Sequence, residues 1–228
     1  MACGCGPTAQ EDPSPVAAEG QDRENQGIIE MPVVDDDVRS DTLSIQVTFD
    51  LQDGTRLLVA SRTTNEFEGL RLYHYRSLPD SSAEWLAISS PAYDSWTMFP
   101  TFFSLTDRPG TLLILANFGA RDSWGQKVLR LDEGGFTDLG FLNVALPERT
   151  MDPDDGPFRF RSIAPHCRFE PENGQWLISF EADSVWLYDD LQGGLDLHLA
   201  AERVSYLLQQ DGTVLRVDGQ DRLPADPL

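Results

Sequence analysis

Carboxylates lie in or beside three candidate loops, two of them with a tryptophan, and these residue types could perform acid–base chemistry or hold a partner. A glycosidase needs two carboxylates at a defined separation, one of them with a raised pKa, and spacing along a chain establishes neither condition. Because the chain has 38 Asp and Glu residues, such pairs also arise by chance. We therefore interpret the loops as partner-binding, with carboxylates for cationic groups and indole rings as anchors. The candidates are Glu66, Glu68, Asp122, Trp124, Asp183 and Trp186.

Other catalytic and metal-binding patterns are weak. His166 and Cys167 are neighbours, but adjacent residues of a strand point to opposite faces, which argues against a shared site. The acidic segment 152–156 has the composition of a calcium loop but lacks the alternating donors and terminal Glu of an EF-hand. No P-loop, dinucleotide or serine-hydrolase motif occurs. The sequence predicts a binding protein rather than an enzyme, with no cofactor and no metal site.

The most aromatic window of the chain is YDSWTMFPTFF at residues 93–103. Aromatic residues at this density usually pack in a core. As an alternative, Tyr93, Trp96 and Phe99 form an exposed platform for a sugar ring or for a partner's side chain. This platform would suit a carbohydrate-binding or glycoside-hydrolysing protein, which remains an alternative function.

Turns with glycine precede aliphatic runs of strand length, and this arrangement predicts antiparallel hairpins. Residues 43–51 alternate as a half-buried strand and should pair across Asp53-Gly54 with the next run. A loosely repeated unit of two strands is formed by 55–61 with 70–75, by 111–116 with 127–132 and by 175–180 with 184–188. Further strands are predicted at 85–88, 136–141 and 213–217. The fold class is all-β, a small or irregular propeller-like domain, with a β-sandwich or barrel as the alternative.

Composition divides the chain at about residue 41. Residues 1–41 are rich in Pro, Gln and acidic residues and poor in large apolar ones, so they are predicted to be a disordered tether before one domain, 42–228. The formal charge of −21 and isoelectric point near 4.2 argue against nucleic acid as a ligand and suggest a basic protein partner, with a solvated acidic surface that binds no partner as the alternative.

The first residues carry a resemblance to a known class of protein. Ala2-Cys3-Gly4, followed by the polar tether, resembles the end of a bacterial lipoprotein signal, in which the cysteine is lipidated. The resemblance implies lipidation at Cys3 and a periplasmic or outer-membrane protein, with the membrane reached only through the lipid; a cytoplasmic protein is the alternative. With the acidic surface, the chain resembles envelope lipoproteins that neutralise toxins or lysozyme-like enzymes. The expected function is that of an inhibitor or immunity protein, and a structural envelope protein is a further alternative.

Overall fold

A computed structural model describes Met1 and residues 27–35, 38, 41–63, 68–91, 98–105, 109–118, 125–148, 159–189 and 195–222. Strands dominate this part of the chain, and the two helical elements in it are single 3-10 turns, Ala164–His166 and Ala201–Arg203. The predicted all-β class is confirmed. The strands are β1 Ile28–Ile29, β2 Val33–Val34, β3 Leu43–Asp50, β4 Arg56–Arg62, β5 Arg71–Ser77, β6 Ala83–Ile88, β7 Pro100–Ser104, β8 Leu112–Phe118, β9 Gly125–Asp132, β10 Gly135–Leu142, β11 Val144–Glu148, β12 Arg159–Arg161, β13 Cys167–Glu172, β14 Gln175–Phe180, β15 Ser184–Asp189, β16 Leu195–Ala200, β17 Val204–Leu208, β18 Thr213–Val217 and β19 Gln220–Asp221.

Four antiparallel sheets contain the described strands, and each is open at both edges. Sheet 1 has the order β2-β3-β4-β5-β6, and sheet 2 has the order β1-β7-β8-β9-β10. Sheet 3 is β12-β11-β15-β16, and sheet 4 is β13-β14-β17-β18-β19. None of the four closes into a barrel, so the barrel alternative does not describe this part of the chain.

Sheet 2 is the central layer because both of its faces are buried. On one face it packs against sheet 1, with Phe102, Ile114 and Leu129 contacting a cluster that includes Leu57 and Val59. On the other face its residues enter the largest apolar cluster, which it shares with sheets 3 and 4; members are Phe103, Leu113, Leu115, Val128, Val144, Val185, Leu187, Phe169, Ile178 and Tyr206. Consecutive antiparallel sheets stacked face to face are the arrangement that blades of a propeller use.

Strand β10 forms the seams between sheet 2 and its neighbours, and two glycines allow the close approach. A Cβ added to Gly135 would lie 3.3 Å from Cβ of Ala87 in β6. A Cβ added to Gly140 would lie 2.8 Å from Oγ1 of Thr213 in β18. Both glycines have φ near +95° (98° and 94°), a backbone region that other residues rarely adopt. The seams therefore require glycine at these two positions.

The third predicted two-strand unit is wrong in its pairing. Strands β14 and β15 exist where the sequence places them, but β14 pairs with β13 and β17, whereas β15 pairs with β11 and β16. The hairpin turn at Asn173-Gly174 joins β13 to β14, and its φ values of 51° and 81° are those of a type I′ turn. The first two units are confirmed, because β4 pairs with β5 and β8 pairs with β9.

Part of the stretch assigned to the tether belongs to the sheets. Ile28–Ile29 pairs with β7, and Val33–Val34 pairs with β3. Val38 is buried with Tyr73 and Tyr75 on the outer face of sheet 1. The described fold therefore starts at Gly27 rather than at Thr42, because these short apolar pieces interrupt an otherwise polar composition.

Candidate functional site

Several predicted site residues lie outside the described residues. These are Cys3, Glu66, Tyr93, Trp96, Asp122 and Trp124. The described candidates are Glu68, Phe99, Asp183 and Trp186.

The described loop candidates are placed on different sheets. The exposed Glu68 lies before β5 of sheet 1, where its carboxylate is 3.9 Å from the guanidinium of Arg71. Asp183 is exposed and precedes β15 of sheet 3, so it does not lie in a loop that joins two strands of one hairpin. Trp186 in β15 is only partly exposed, and its ring stacks on the imidazole of His198 at a centroid distance of 5.0 Å. The structure therefore does not assemble these residues into one hairpin-loop surface.

Phe99 is the described member of the predicted aromatic platform. Its residue surface is 65% exposed, whereas Phe102 and Phe103 of the same window are buried. Two amide side chains form hydrogen bonds with the backbone at this position. Gln46 accepts a hydrogen bond from the Met98 N–H and donates one to the Met98 carbonyl, and Asn117 Oδ1 accepts one from the Phe99 N–H at 2.6 Å. The window thus contains both predicted environments, core for the two later phenylalanines and solvent for Phe99.

A histidine, a threonine and an aspartate meet at the β3–β4 turn in an order that resembles a catalytic relay. The Thr55 hydroxyl lies 2.6 Å from Asp53 Oδ1 and 2.9 Å from His74 Nε2. A carboxylate only accepts, so the hydroxyl donates its one hydrogen to Asp53 and Nε2–H donates to the hydroxyl. Thr55 is buried and its backbone N–H also donates to Asp53, at 2.8 Å. This geometry caps a turn and does not activate a nucleophile.

The titration of this cluster follows from its burial and contacts. Burial lowers the pKa of His74, and the positive charge of Arg76 lowers it further, whereas the negative charge of Asp53 raises it. The net pKa is below that of an ordinary histidine. Partial burial raises the pKa of Asp53, but hydrogen bonds from Thr55 and the charge of His74 outweigh it and lower the net pKa. The cluster is therefore a neutral imidazole beside an ionised carboxylate at neutral pH.

The Cys167 thiol and the Tyr206 hydroxyl, whose pKa values are both raised, lie in the core. Cys167 is buried, its Sγ lies 3.5 Å from the Ile163 carbonyl oxygen, and burial raises the pKa of the thiol. Burial likewise raises the pKa of Tyr206, whose hydroxyl donates to Asn143 Oδ1 and accepts from the Asn143 N–H at 3.1 Å. A raised thiol pKa makes Cys167 a poor nucleophile, and the tyrosine tethers β17 to the start of sheet 3.

Lys127 and Asp138 form an ion pair at the seam of sheets 1 and 2. Lys127 Nζ lies 2.8 Å from Asp138 Oδ2 and donates to the Pro91 carbonyl at 2.9 Å. Asp138 also accepts from the Ser90 hydroxyl at 2.9 Å and the Gly140 N–H at 3.0 Å. Desolvation raises the pKa of Asp138, but these hydrogen bonds and the Lys127 charge together lower it below its ordinary value. The pair fastens the segment after β6 to β10.

A surface that the sequence did not single out is the hairpin 78–88, which we call the apolar hairpin surface. Apart from Met1, the described chain has six exposed large apolar side chains, and four of them lie here: Leu78, Trp85, Leu86 and Ile88. Trp85 packs edge-on against Tyr73 and is tilted against Tyr75, with centroid distances of 5.6 and 5.7 Å. Residues 85–88 were predicted as a strand, but the sequence carries no signal that this strand lies at a sheet edge.

Carboxylates flank the apolar hairpin surface. Asp80 is exposed in the β5–β6 turn, and its hydrogen bonds with Ser82 lower its pKa. Glu133 is exposed in the β9–β10 turn, two residues before the glycine that abuts Ala87. Neither forms an ion pair with a described residue, whereas Glu84 pairs with Arg76 at 2.7 Å. An apolar patch bounded by unneutralised acidic groups fits a partner with basic and apolar side chains.

Comparison of the chain with protein-family models, with curated proteins and with solved structures finds no match. Among the described residues there is no cluster of three or more His, Cys, Asp or Glu side chains that could hold a metal ion. A search of the same residues finds no helix long and apolar enough to cross a membrane.

Proposed function

We propose that this protein is a non-catalytic binding protein that captures a basic protein partner on the apolar hairpin surface. The observation that carries the proposal is the concentration of exposed Leu78, Trp85, Leu86 and Ile88 in one hairpin. Exposed large apolar side chains that are gathered in one part of a structure mark interaction surfaces, whereas those scattered singly do not. Trp85 already rests on two tyrosine rings, so its ring is preorganised and loses little conformational entropy on binding.

The charge of the chain supports a basic partner. A formal charge of −21 steers a cationic protein towards the surface over distances comparable to the Debye length, about 8 Å at physiological ionic strength. Asp80 lies in the turn of the hairpin, and Glu133 lies two residues before the glycine that contacts Ala87. Neither has an ion-pair partner among the described residues, so both can contribute to specificity for a cationic partner.

The non-catalytic part of the proposal is supported by how the described polar clusters use their hydrogen bonds. The Thr55 hydroxyl donates to Asp53, and the Cys167 thiol is enclosed with a raised pKa. The Lys127–Asp138 pair joins two sheets. Each cluster has a sufficient structural role.

An inhibitor or immunity function in the cell envelope is the finer form of this proposal. It combines the binding surface with the Ala2-Cys3-Gly4 sequence, which would place the domain on a lipid-anchored tether near a secreted toxin or cell-wall hydrolase. Radiolabelled palmitate incorporation in the native cells, and its loss in Cys3→Ser, is the test of the anchor.

Carbohydrate binding remains a second candidate because of Phe99. The residue is 65% exposed, and Asn117 and Gln46 hydrogen-bond to the backbone that carries it, so Phe99 offers a positioned aromatic side chain that could stack on a sugar ring. Binding of a glycan that is lost in Phe99→Ala, with protein capture absent, would favour this second function.

The primary test uses the full chain as bait in extracts of the native cells, at low and high salt, followed by titration with the purified captured protein. We expect a basic partner whose affinity falls with salt and falls further in Glu133→Lys. Glu170→Lys in β13 is the matched control, because Glu170 is also exposed and has no described ion pair. No specific capture at either salt would overturn the proposal, as would equal effects of the two charge reversals.

A further inference from the structure

Strand β6 differs from the other described edge strands. Edges are a liability because their unpaired backbone groups can pair with another chain, and proteins keep them short, charged or covered. Four edge strands have only two or three residues: β1, β2, β12 and β19. Strand β13 carries Arg168, Glu170 and Pro171, and β10 contacts β6 and β18 through its glycines. Strand β16 also has six residues, but its described leucines, Leu197 and Leu199, are only partly exposed. Strand β6 has six residues and exposes three large apolar side chains.

The register shows which backbone groups of β6 face away from sheet 1. Leu78 N donates to Ser82 O, so the next hydrogen-bonded pair along the ladder is Arg76 with Glu84. The intervening residues Ala83 and Trp85 therefore point their N–H and C=O groups outward. Beyond the bulge at Leu86, Ser89 N donates to Leu72 O, which agrees with this alternation.

These outward groups are unoccupied in the described part of the chain. Apart from the pairing with β5, the backbone of Ala83 and Trp85 makes no hydrogen bond to a described residue. Two donors and two acceptors thus stand in a row beside the exposed Trp85 ring. A row of this kind is what a partner strand pairs with when it extends a sheet.

We propose that β6 accepts a short strand from the basic partner, which extends sheet 1 by pairing with Ala83 and Trp85. This proposal rests on the proposed function, since it assigns the binding mode of the same surface. The partner strand ends near Leu86, because the bulge at Leu86 breaks the ladder and Gly135 of β10 abuts Ala87.

The side chains along β6 specify the chemistry of the accepted strand. Trp85 and Ile88 are paired with Tyr75 and Tyr73, so they lie on the outer face of sheet 1. Glu84 lies on the opposite face, beside Arg76. A paired strand consequently presents an apolar residue to Trp85 and basic residues to Glu84, in alternation.

A second copy of this chain is a poorer occupant than a basic segment. Pairing β6 with its own copy would bring together two chains that each carry a formal charge of −21 and would place acidic side chains of both copies near one interface. Like charges across a strand pair are destabilising. The charge therefore selects a cationic strand.

The test is binding of a synthetic peptide of alternating arginine and valine to the isotopically labelled full chain, followed by amide hydrogen exchange. We expect protection of the Trp85 amide on binding. A peptide of alternating glutamate and valine, and the cationic peptide with methylated backbone nitrogens, should not bind. If the cationic peptide does not bind, or if the Trp85 amide exchanges as fast in the complex, strand addition is refuted.

Two variants separate the backbone contribution from the side chain. Ala83→Pro removes the outward N–H and leaves the pairing with β5 intact, and Ala83→Gly changes the side chain but keeps the N–H. We expect Ala83→Pro to weaken peptide binding about tenfold, equivalent to one hydrogen bond of about 1.4 kcal/mol, and Ala83→Gly to have a smaller effect. Equal losses in both variants would contradict the proposal. Exchange in the wild-type complex remains decisive if the proline variant does not fold.

The same exchange measurement with the captured protein distinguishes the two proposals. A basic partner whose affinity falls in Glu133→Lys, without protection of the Trp85 amide, would leave the proposed function standing and remove strand addition. Absence of any partner would remove the proposed function, whereas peptide binding at β6 would still be measured independently.

Discussion

Replacement of Asp138 should lower the free energy of unfolding much more than replacement of its ion-pair partner Lys127. Lys127 is 4% exposed, whereas the side chain of Asp138 is 43% exposed. In Asp138→Asn the enclosed ammonium loses the carboxylate that lies 2.8 Å from it and gains only a neutral amide in its place. In Lys127→Met an apolar chain of similar length fills the same space, and the carboxylate keeps water, Ser90 and the Gly140 N–H.

The magnitudes follow from this difference in solvation. Loss of one partner of a buried pair costs about 3–5 kcal/mol, so we expect about 3 kcal/mol for Asp138→Asn because the site is at a seam. For Lys127→Met we expect about 1 kcal/mol, the scale of a hydrogen bond lost by a group that water can reach. The double variant should be more stable than Asp138→Asn alone, since it no longer encloses an ammonium that has lost this carboxylate.

Urea unfolding followed by tryptophan fluorescence at pH 7 is the assay. With a denaturant slope of about 2–3 kcal/mol per molar for a chain of this size, the midpoint should fall by about 1–1.5 M in Asp138→Asn and by less than about 0.5 M in Lys127→Met. The reasoning is refuted if Lys127→Met costs as much as Asp138→Asn, or if the double variant is the least stable of the three.

Three further predictions concern groups inside the sheets. Tyr206→Phe removes the two hydrogen bonds between the tyrosine hydroxyl and Asn143 in the core. The unfolding free energy, measured by calorimetry or urea unfolding, should fall by about 2–3 kcal/mol. An unchanged stability would show that water replaces the hydroxyl. Cys167 should resist iodoacetamide at pH 8 in the native protein and react after denaturation, as read from the mass of its tryptic peptide; rapid native labelling would contradict its burial. Because the pKa of His74 is lowered in the folded protein, the unfolded chain binds the proton more tightly, and the unfolding free energy should fall as the pH drops below about 6.5. In His74→Gln the unfolding free energy should depend less on pH between pH 7 and 5. The same pH dependence in the variant and the wild type would argue against the lowered pKa.

Local strand positions could be predicted from the sequence because they depend on short-range patterns. The apolar runs at 175–180 and 213–217 have the same bounds in the structure as in the sequence analysis. Sheet membership could not be predicted in the same way, since it depends on pairing between distant residues. Gln175–Phe180 and Ser184–Asp189 are separated by three residues and yet belong to different sheets.

Exposure limited the prediction of the site in the same manner. The aromatic window contains the exposed Phe99 and the buried Phe102 with no difference in residue type. Trp85 looks like an ordinary strand residue until sheet 1 is known to end at its strand. The charge of the chain was visible from composition, but the hairpin that gathers apolar side chains beside Asp80 required the pairing of β5 with β6.

The enclosed ammonium of Lys127 determines how the surface can be labelled. It is the chain's single lysine, and with 4% exposure it is shielded from reagents in solution. Cross-linkers and dyes that acylate lysine amines, and enzymes that acetylate or ubiquitylate lysine, therefore find no accessible lysine on the folded protein. Carboxylates offer another route for covalent mapping of a complex, because the chain has 38 of these side chains and one of them, Asp80, lies in the apolar hairpin.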